Sequence, residues 1–230
     1  MKPIIKILTP FLITVCIQCC IQDTSHCPHT FTLPVSIIPA QEVYSLGDTI
    51  NIISEFNDQV SALTIEKKEA GTFDMHGIKW KPAISYYKLD TLIPNRDDHI
   101  SDFSNFAEVE LLLGDLQIHR FSSRFEQVYG EYQEQDHIFK FSLNIIPKRK
   151  GLYFIEFSSD NGVVNIFQDF PGACDRELFY VNFDTNEGAE NNYHLIFESP
   201  DTYWNNIEGS GINRYGFKFK EQGGYCFRVE

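Results

Sequence analysis

Apolar and polar residues alternate with a period of two along much of this chain. The pattern is clearest around residues 138–157. Phe139, Phe141, Leu143 and Ile145 alternate there with Lys140, Ser142 and Asn144. After a turn at 147–151, Tyr153, Ile155 and Phe157 line one face of the next run. Ile50, Ile52, Ser54 and Phe56 alternate in the same way behind the Gly47-Asp48 turn. Such alternation predicts half-buried strands. Residues 32–38, with Val35, Ile37 and Ile38 between Pro34 and Pro39, predict an edge strand at best. Residues 73–93 resume strand character, with an edge or bulge at Pro82. Gly114-Asp115, between apolar runs at 107–113 and 116–121, predicts a hairpin, and Asp160-Asn161-Gly162 predicts another leading into 163–167. Residues 57–72 are polar and predict one short helix or a crossing loop.

The last sixty residues follow a different pattern. After a strand at 177–183, residues 189–198 and 199–205 read as short helices, with Ser199 as N-cap and Pro200 at the first helical position. Runs at 216–220 and 225–229 then flank Gly223-Gly224 as a hairpin. Gly151-Leu152-Tyr153, opening a strand just after a turn, resembles the E–F corner of immunoglobulin-like sandwiches. In that frame 48–56 is placed like strand B, 138–146 like E, 152–158 like F and 163–167 like G. The resemblance implies a buried Tyr153 whose hydroxyl meets backbone a few residues upstream, with 138–146 and 152–158 as antiparallel neighbours. The predicted fold is therefore mainly β: an immunoglobulin-like antiparallel β-sandwich over 32–170. A C-terminal extension over 171–230, a helical excursion and a hairpin, packs on it.

The N-terminus reads as an address. Lys2 and Lys6 precede an apolar stretch from Ile7 to Ile17, shorter than the roughly 20 residues a spanning helix needs. This is the layout of a secretory signal. Ile17, Cys19 and Cys20 fit a loose lipobox, which makes 1–19 a lipoprotein signal peptide, Cys20 the lipid-bearing residue and 20–31 a tether. Cys16 and Cys19 are alternative acceptors, and plain secretion is the alternative to a lipid anchor. Tyr44-x-x-Gly47-Asp48-Thr49-Ile50, Lys150-Gly151-x-Tyr153 and an acidic, Asn-rich tail join the lipobox in a wider resemblance. Together they resemble the class of uncharacterised exported lipoproteins of Bacteroidota type, which implies a location and a fold and brings no established activity.

Composition narrows the functional classes. The 230 residues are 43% hydrophobic and 22% charged, enough to bury a core. A formal net charge of -13 disfavours nucleic acid as a partner. Lys148-Arg149-Lys150 is read as a solvated turn. Six cysteines fall to four on cleavage at Cys20; all three pairings among Cys27, Cys174 and Cys226 are open, and Cys174–Cys226 with Cys27 free is the favoured one because both belong to the C-terminal part.

The chain carries no Gly-x-Ser-x-Gly elbow, no His-Glu-x-x-His and no phosphate-cradling loop, so no cofactor is expected. No metal is expected either. His26-Cys27-Pro28-His29 sits in the tether, and Asp97-Asp98-His99 with Asp102 lacks calcium-loop spacing. Glu108 and Glu110 read as the solvent side of a strand. Tyr193, Tyr203 and Trp204 are the candidate glycan-stacking residues. The functional expectation is a non-catalytic, membrane-anchored lipoprotein at the cell envelope that binds a protein or glycan partner. The alternative is a carbohydrate-active hydrolase using paired carboxylates.

Overall fold

The computed structural model describes residues 27–92, 101–159, 170–172, 174, 179–189, 191–205, 215–221 and 223–230. The fold is a mainly β sandwich of two antiparallel-rich sheets. One sheet contains β1 (Thr30–Ile38), β3 (Ile50–Asn57), β4 (Gln59–Leu63), β5 (Glu69–Asp74), β7 (Ala107–Leu113), β10 (Gln133–Gln135), β11 (Ile138–Pro147) and β13 (Tyr180–Thr185). The other runs β2 (Val43–Tyr44), β14 (Tyr225–Val229), β12 (Gly151–Ser159), β6 (Pro82–Lys88), β9 (Phe125–Glu131), β8 (Asp115–Ser122) in spatial order. A short helix, α1 (Phe103–Phe106), capped by Asp102, leads into β7.

The alternating strands behave as their pattern requires. Phe139, Phe141, Leu143 and Ile145 of β11 are buried, as are Ile50 and Ile52 of β3. The two strands pair antiparallel from Ile138↔Asn57 to Ile145↔Ile50. Tyr153, Ile155 and Phe157 of β12 close the core from the opposite sheet. The corner at 147–151 forms as the immunoglobulin-like resemblance implies: the Tyr153 ring is buried and its hydroxyl donates to the Arg149 carbonyl at 2.8 Å. One detail differs. β11 and β12 lie in opposing sheets and are not antiparallel neighbours, because 148–150 carry the chain across the sandwich.

Other elements depart from the sequence pattern for physical reasons. Gly114 does not close a hairpin, since β7 pairs β11 and β8 pairs β9 in the facing sheet. It is a corner at φ +94°, where a Cβ would sit 3.1 Å from Phe141 Cβ. Residues 57–72 are neither helix nor crossing loop, but the antiparallel pair β4–β5, turned at Thr64–Lys68 with Lys67 at φ +61°. β1 is not an edge strand; it pairs β3, β4 and, in parallel, β13. The Ser54 hydroxyl donates to the Pro34 carbonyl at 2.5 Å. Pro82 opens β6, a position that needs no donor, and β6 lies between β12 and β9 rather than at an edge. Thr30 and Phe31 belong to β1 and not to a tether. The hairpin expected after 160–162 lies outside the described residues.

The C-terminal part supplies strands as well as cover. β13 and β14 are members of the two sheets. Residues 215–221 form a wide helical turn and not a strand, so the expected final hairpin is absent; β14 instead pairs β12 and β2. A 3-10 helix at Tyr193–Glu198 and α2 (Thr202–Asn205) lie between β13 and this turn. Asp201, not Ser199, caps α2, accepting from the Tyr203 amide at 2.8 Å, while the Ser199 hydroxyl donates to the Leu89 carbonyl. Leu195, Ile196, Trp204 and Phe219 bury Tyr87, Leu152 and Phe154 on the outer face of the second sheet. That third layer explains why β6 and β12 are buried on both faces.

Candidate functional site

The candidate site residues read from the sequence are distributed as follows. Cys20 lies outside the described residues. The disulfide is Cys27–Cys174, with Cα atoms 5.9 Å apart, which corrects the expected Cys174–Cys226 pair. Cys226 is a free, fully buried thiol on β14, between β12 and β2 at the back of the sheet, where burial pushes its pKa up. Cys27 escapes the predicted tether because the His29 amide donates to the Leu63 carbonyl of β4 and the Tyr180 amide of β13 donates to the His29 carbonyl, holding this stretch against both strands. A disulfide fits an exported protein, since such bonds persist in oxidising compartments. Among the described residues no helix is long and apolar enough to cross a membrane.

Trp204 does not form an open stacking platform. It is buried against Tyr87 and Phe154, with ring centroids 5.3 and 5.5 Å away. Tyr193 packs on Phe219 and Tyr203 stands edge-on to Trp204, both half-buried. A cavity of about 280 Å³ opens beside them, where Asp184, Asn191 and Lys220 meet Phe219. Asp184 is the single carboxylate among its described lining residues. Glu108 and Glu110 are exposed on β7, and Glu110 accepts from the Asn144 side chain at 2.9 Å.

Two surfaces that the sequence pattern does not single out stand out in the structure. The first is β8, which with β2 is one of the two outermost strands of the second sheet among the described residues. Leu116 is its one buried residue. Ile118 and Phe121 are 40% and 54% exposed, and His119 packs against the Phe121 ring at 4.4 Å. Leu111 and Leu112 of the preceding strand are exposed as well. Single exposed apolar residues are ordinary on protein surfaces; Ile118 and Phe121 differ in lying on a strand with one side unpaired.

The second is a group of side chains at one end of the first sheet. Asp58 lies between β3 and β4, His76 follows β5, and His137 lies in the two-residue turn between β10 and β11. His137 Nδ1 is 2.6 Å from Asp58 Oδ2, and His76 Nδ1 is 2.5 Å from Glu134 Oε1. The two imidazoles are 5.4 Å apart. The hydrogen bond from His137 holds the Asp58 carboxyl below its usual range, and the same bond pushes the His137 imidazole up. The chain separations of these residues hide the group from sequence reasoning. The one available signal is Asp136-His137, a turn-like dipeptide between alternating runs.

No protein-family model matches the chain, and no curated protein matches it. Among solved structures it is similar to the reeler domain of human F-spondin, at a TM-score of 0.32 and 8% identity over 68% of this chain and 85% of that one. It is also similar to a conjugative transposon lipoprotein from Bacteroides eggerthii, at a TM-score of 0.21 and 12% identity, covering 56% and 85%. A third likeness is to the CupB6 tip adhesin of Pseudomonas aeruginosa, at a TM-score of 0.20 and 11% identity, covering 70% and 42%. Likenesses this distant say nothing of what this chain does.

Proposed function

We propose that this protein is a non-catalytic lipoprotein, anchored through an acylated Cys20, whose β-sandwich binds a protein partner at the cell envelope. The observation that carries this reading is the exposed edge of β8. An outermost strand has main-chain N–H and C=O groups on one side with no strand to pair them, and natural proteins usually blunt such an edge with charge, Pro or a covering element. Here the edge presents Ile118 and Phe121 beside Arg120, whose guanidinium is turned onto Glu126, and an irregularity in register at Arg120/Ser122. Backbone pairing plus apolar side chains is the recognition chemistry of an extended polypeptide added to a sheet. It favours a protein over a glycan, which has no strand to add. The lipid anchor follows from the loose lipobox ending at Cys20, and the outer membrane or the periplasmic face is the location.

The test is native electrophoresis of the protein extracted from its own cells in mild detergent. Wild type should migrate in a complex larger than one chain. Ile118→Lys/Phe121→Lys should migrate as the single chain at an unchanged melting temperature. Cys20→Ser should move the protein out of the detergent phase. An unchanged complex in the double variant would contradict the β8 assignment. Unchanged detergent partitioning of Cys20→Ser would contradict the anchor.

A further inference from the structure

We propose that Asp58, His76 and His137 form a binding site for a divalent transition-metal cation, of which Zn2+ is the representative. Each side chain offers one ligand atom, and the three lie within 4.8 Å of one another. A four-coordinate zinc centre with bonds of about 2.0–2.2 Å holds its donors roughly 3.3–3.6 Å apart. The most separated donors must therefore close by about 1 Å, while His137 Nδ1 and Asp58 Oδ2, hydrogen-bonded at 2.6 Å, must give up their shared proton and open by somewhat less. The two imidazoles can turn to do so, because their side chains are 66% and 72% exposed. Asp58 is the fixed point: its side chain is 9% exposed, its amide donates to the His137 carbonyl, and its carbonyl accepts from Met75. Those backbone bonds tie all three turns together before any ion arrives.

The donor set selects the class of ion. Two imidazoles and one carboxylate suit a borderline cation; Ca2+ and Mg2+ take oxygen ligands. Glu134 strengthens the assignment. Its carboxylate holds His76 Nδ1 at 2.5 Å and accepts from the Gly77 amide at 2.9 Å. That leaves Nε2 of His76 to face a metal, and a carboxylate on the second ring nitrogen is the usual support of a metal-bound histidine. Three protein ligands leave a fourth position for water.

The backbone at His137 points the same way. Asp136 and His137 have φ of +52° and +64°, forming the two-residue loop between Gln135 and Ile138. Such loops favour Asn-Gly or Asp-Gly. A histidine where glycine is preferred costs stability, of a kind that recurs where a side chain has work to do. The side chain it places is the one bonded to Asp58.

Calorimetric titration of the purified protein tests the site, with melting curves recorded in parallel. Zn2+ should bind at one equivalent and raise the melting temperature, and chelator should reverse the rise. Ca2+ or Mg2+ should do neither. His137→Gly relieves the positive φ but gives up the bond to Asp58, two opposing effects, so its metal-free melting temperature should stay within a few degrees of wild type while Zn2+ affinity falls about tenfold or more. His76→Ala should lose affinity to the same extent, and Glu134→Gln about 10–100-fold. No saturable Zn2+ binding, equal binding of Ca2+, or wild-type affinity in both His137→Gly and His76→Ala would overturn the proposal.

Discussion

Tyr86 and Tyr153 stack ring on ring across the second sheet, with centroids 4.9 Å apart and planes 16° from parallel, yet their hydroxyls differ. Tyr153 donates to Arg149 at the corner, whereas the Tyr86 hydroxyl finds no hydrogen-bond partner among the described residues. Leaving a buried hydroxyl unpaired costs about 1–3 kcal/mol, and a made hydrogen bond contributes about 0.5–1.5 kcal/mol. The same substitution should therefore have opposite signs at the two positions. Tyr86→Phe should stabilise by about 1 kcal/mol or more, and Tyr153→Phe should destabilise by about 0.5–1.5 kcal/mol. Tyr153→Ala, which empties a fully buried ring site, should cost about 3–5 kcal/mol. Urea unfolding of the three variants reads these values, and equal signs for the two Phe variants would contradict the corner.

The Cys27–Cys174 bond joins residues 147 apart in sequence. Closing so long a loop restricts the unfolded chain strongly, and losing a native disulfide typically costs about 2–5 kcal/mol. Cys27→Ser and Cys174→Ser should each lower stability by that amount, and the double variant should lose no more than either. Non-reducing peptide mapping should recover 27 linked to 174. Cys226 should resist maleimide until the protein unfolds. Finding Cys226 in a bridge would overturn the pairing.

Glu126 is buried between β8 and α1 and accepts from the Ser104 amide and hydroxyl, both at 2.9 Å, and from the Arg120 guanidinium. Burial pushes its carboxyl up, but the Ser104 bonds and Arg120 together outweigh burial and hold it below the ordinary 4.5. A folded-state pKa below the unfolded one means that the contribution is fully present above the unfolded value. It is lost as pH falls through the folded value. Glu126→Gln should cost about 1.5–3 kcal/mol at neutral pH, as hydrogen bonds to charged groups do. The gap between wild type and variant should shrink as pH drops below 4.5. Denaturant unfolding from pH 7 to pH 3 measures it, and a constant gap would contradict the assignment.

Legibility in the sequence followed environment. β3 and β11 could be read because one face meets the core and the other meets water, so burial and alternation coincide. The Tyr153 corner could be read because its spacing is local. β4 and β5 could not, because β4 is short and its inward face is only Val60 and Ala62, β5 is largely exposed, and the pair turns through Lys67 with no glycine or asparagine to mark the bend. The segment 215–221 has a strand-like composition, but tertiary contacts decide its shape: Phe219 enters the outer cluster and Lys218 pairs with Glu156. The Asp58–His76–His137 group was out of reach for another reason. Its members come from three turns, and only the sheet register brings them to one end.

Partner binding at β8 is tested most directly by site-specific photocross-linking in the native cell. A photoreactive amino acid at Phe121 should give one discrete adduct whose mass differs from that of two copies of this chain. The same group at Ile65, which is 63% exposed on the β4–β5 turn, should give none. Adding Ile118→Lys should abolish the adduct. No adduct from 121, the same adduct from 65, or an adduct made only of a second copy of this chain would contradict the account.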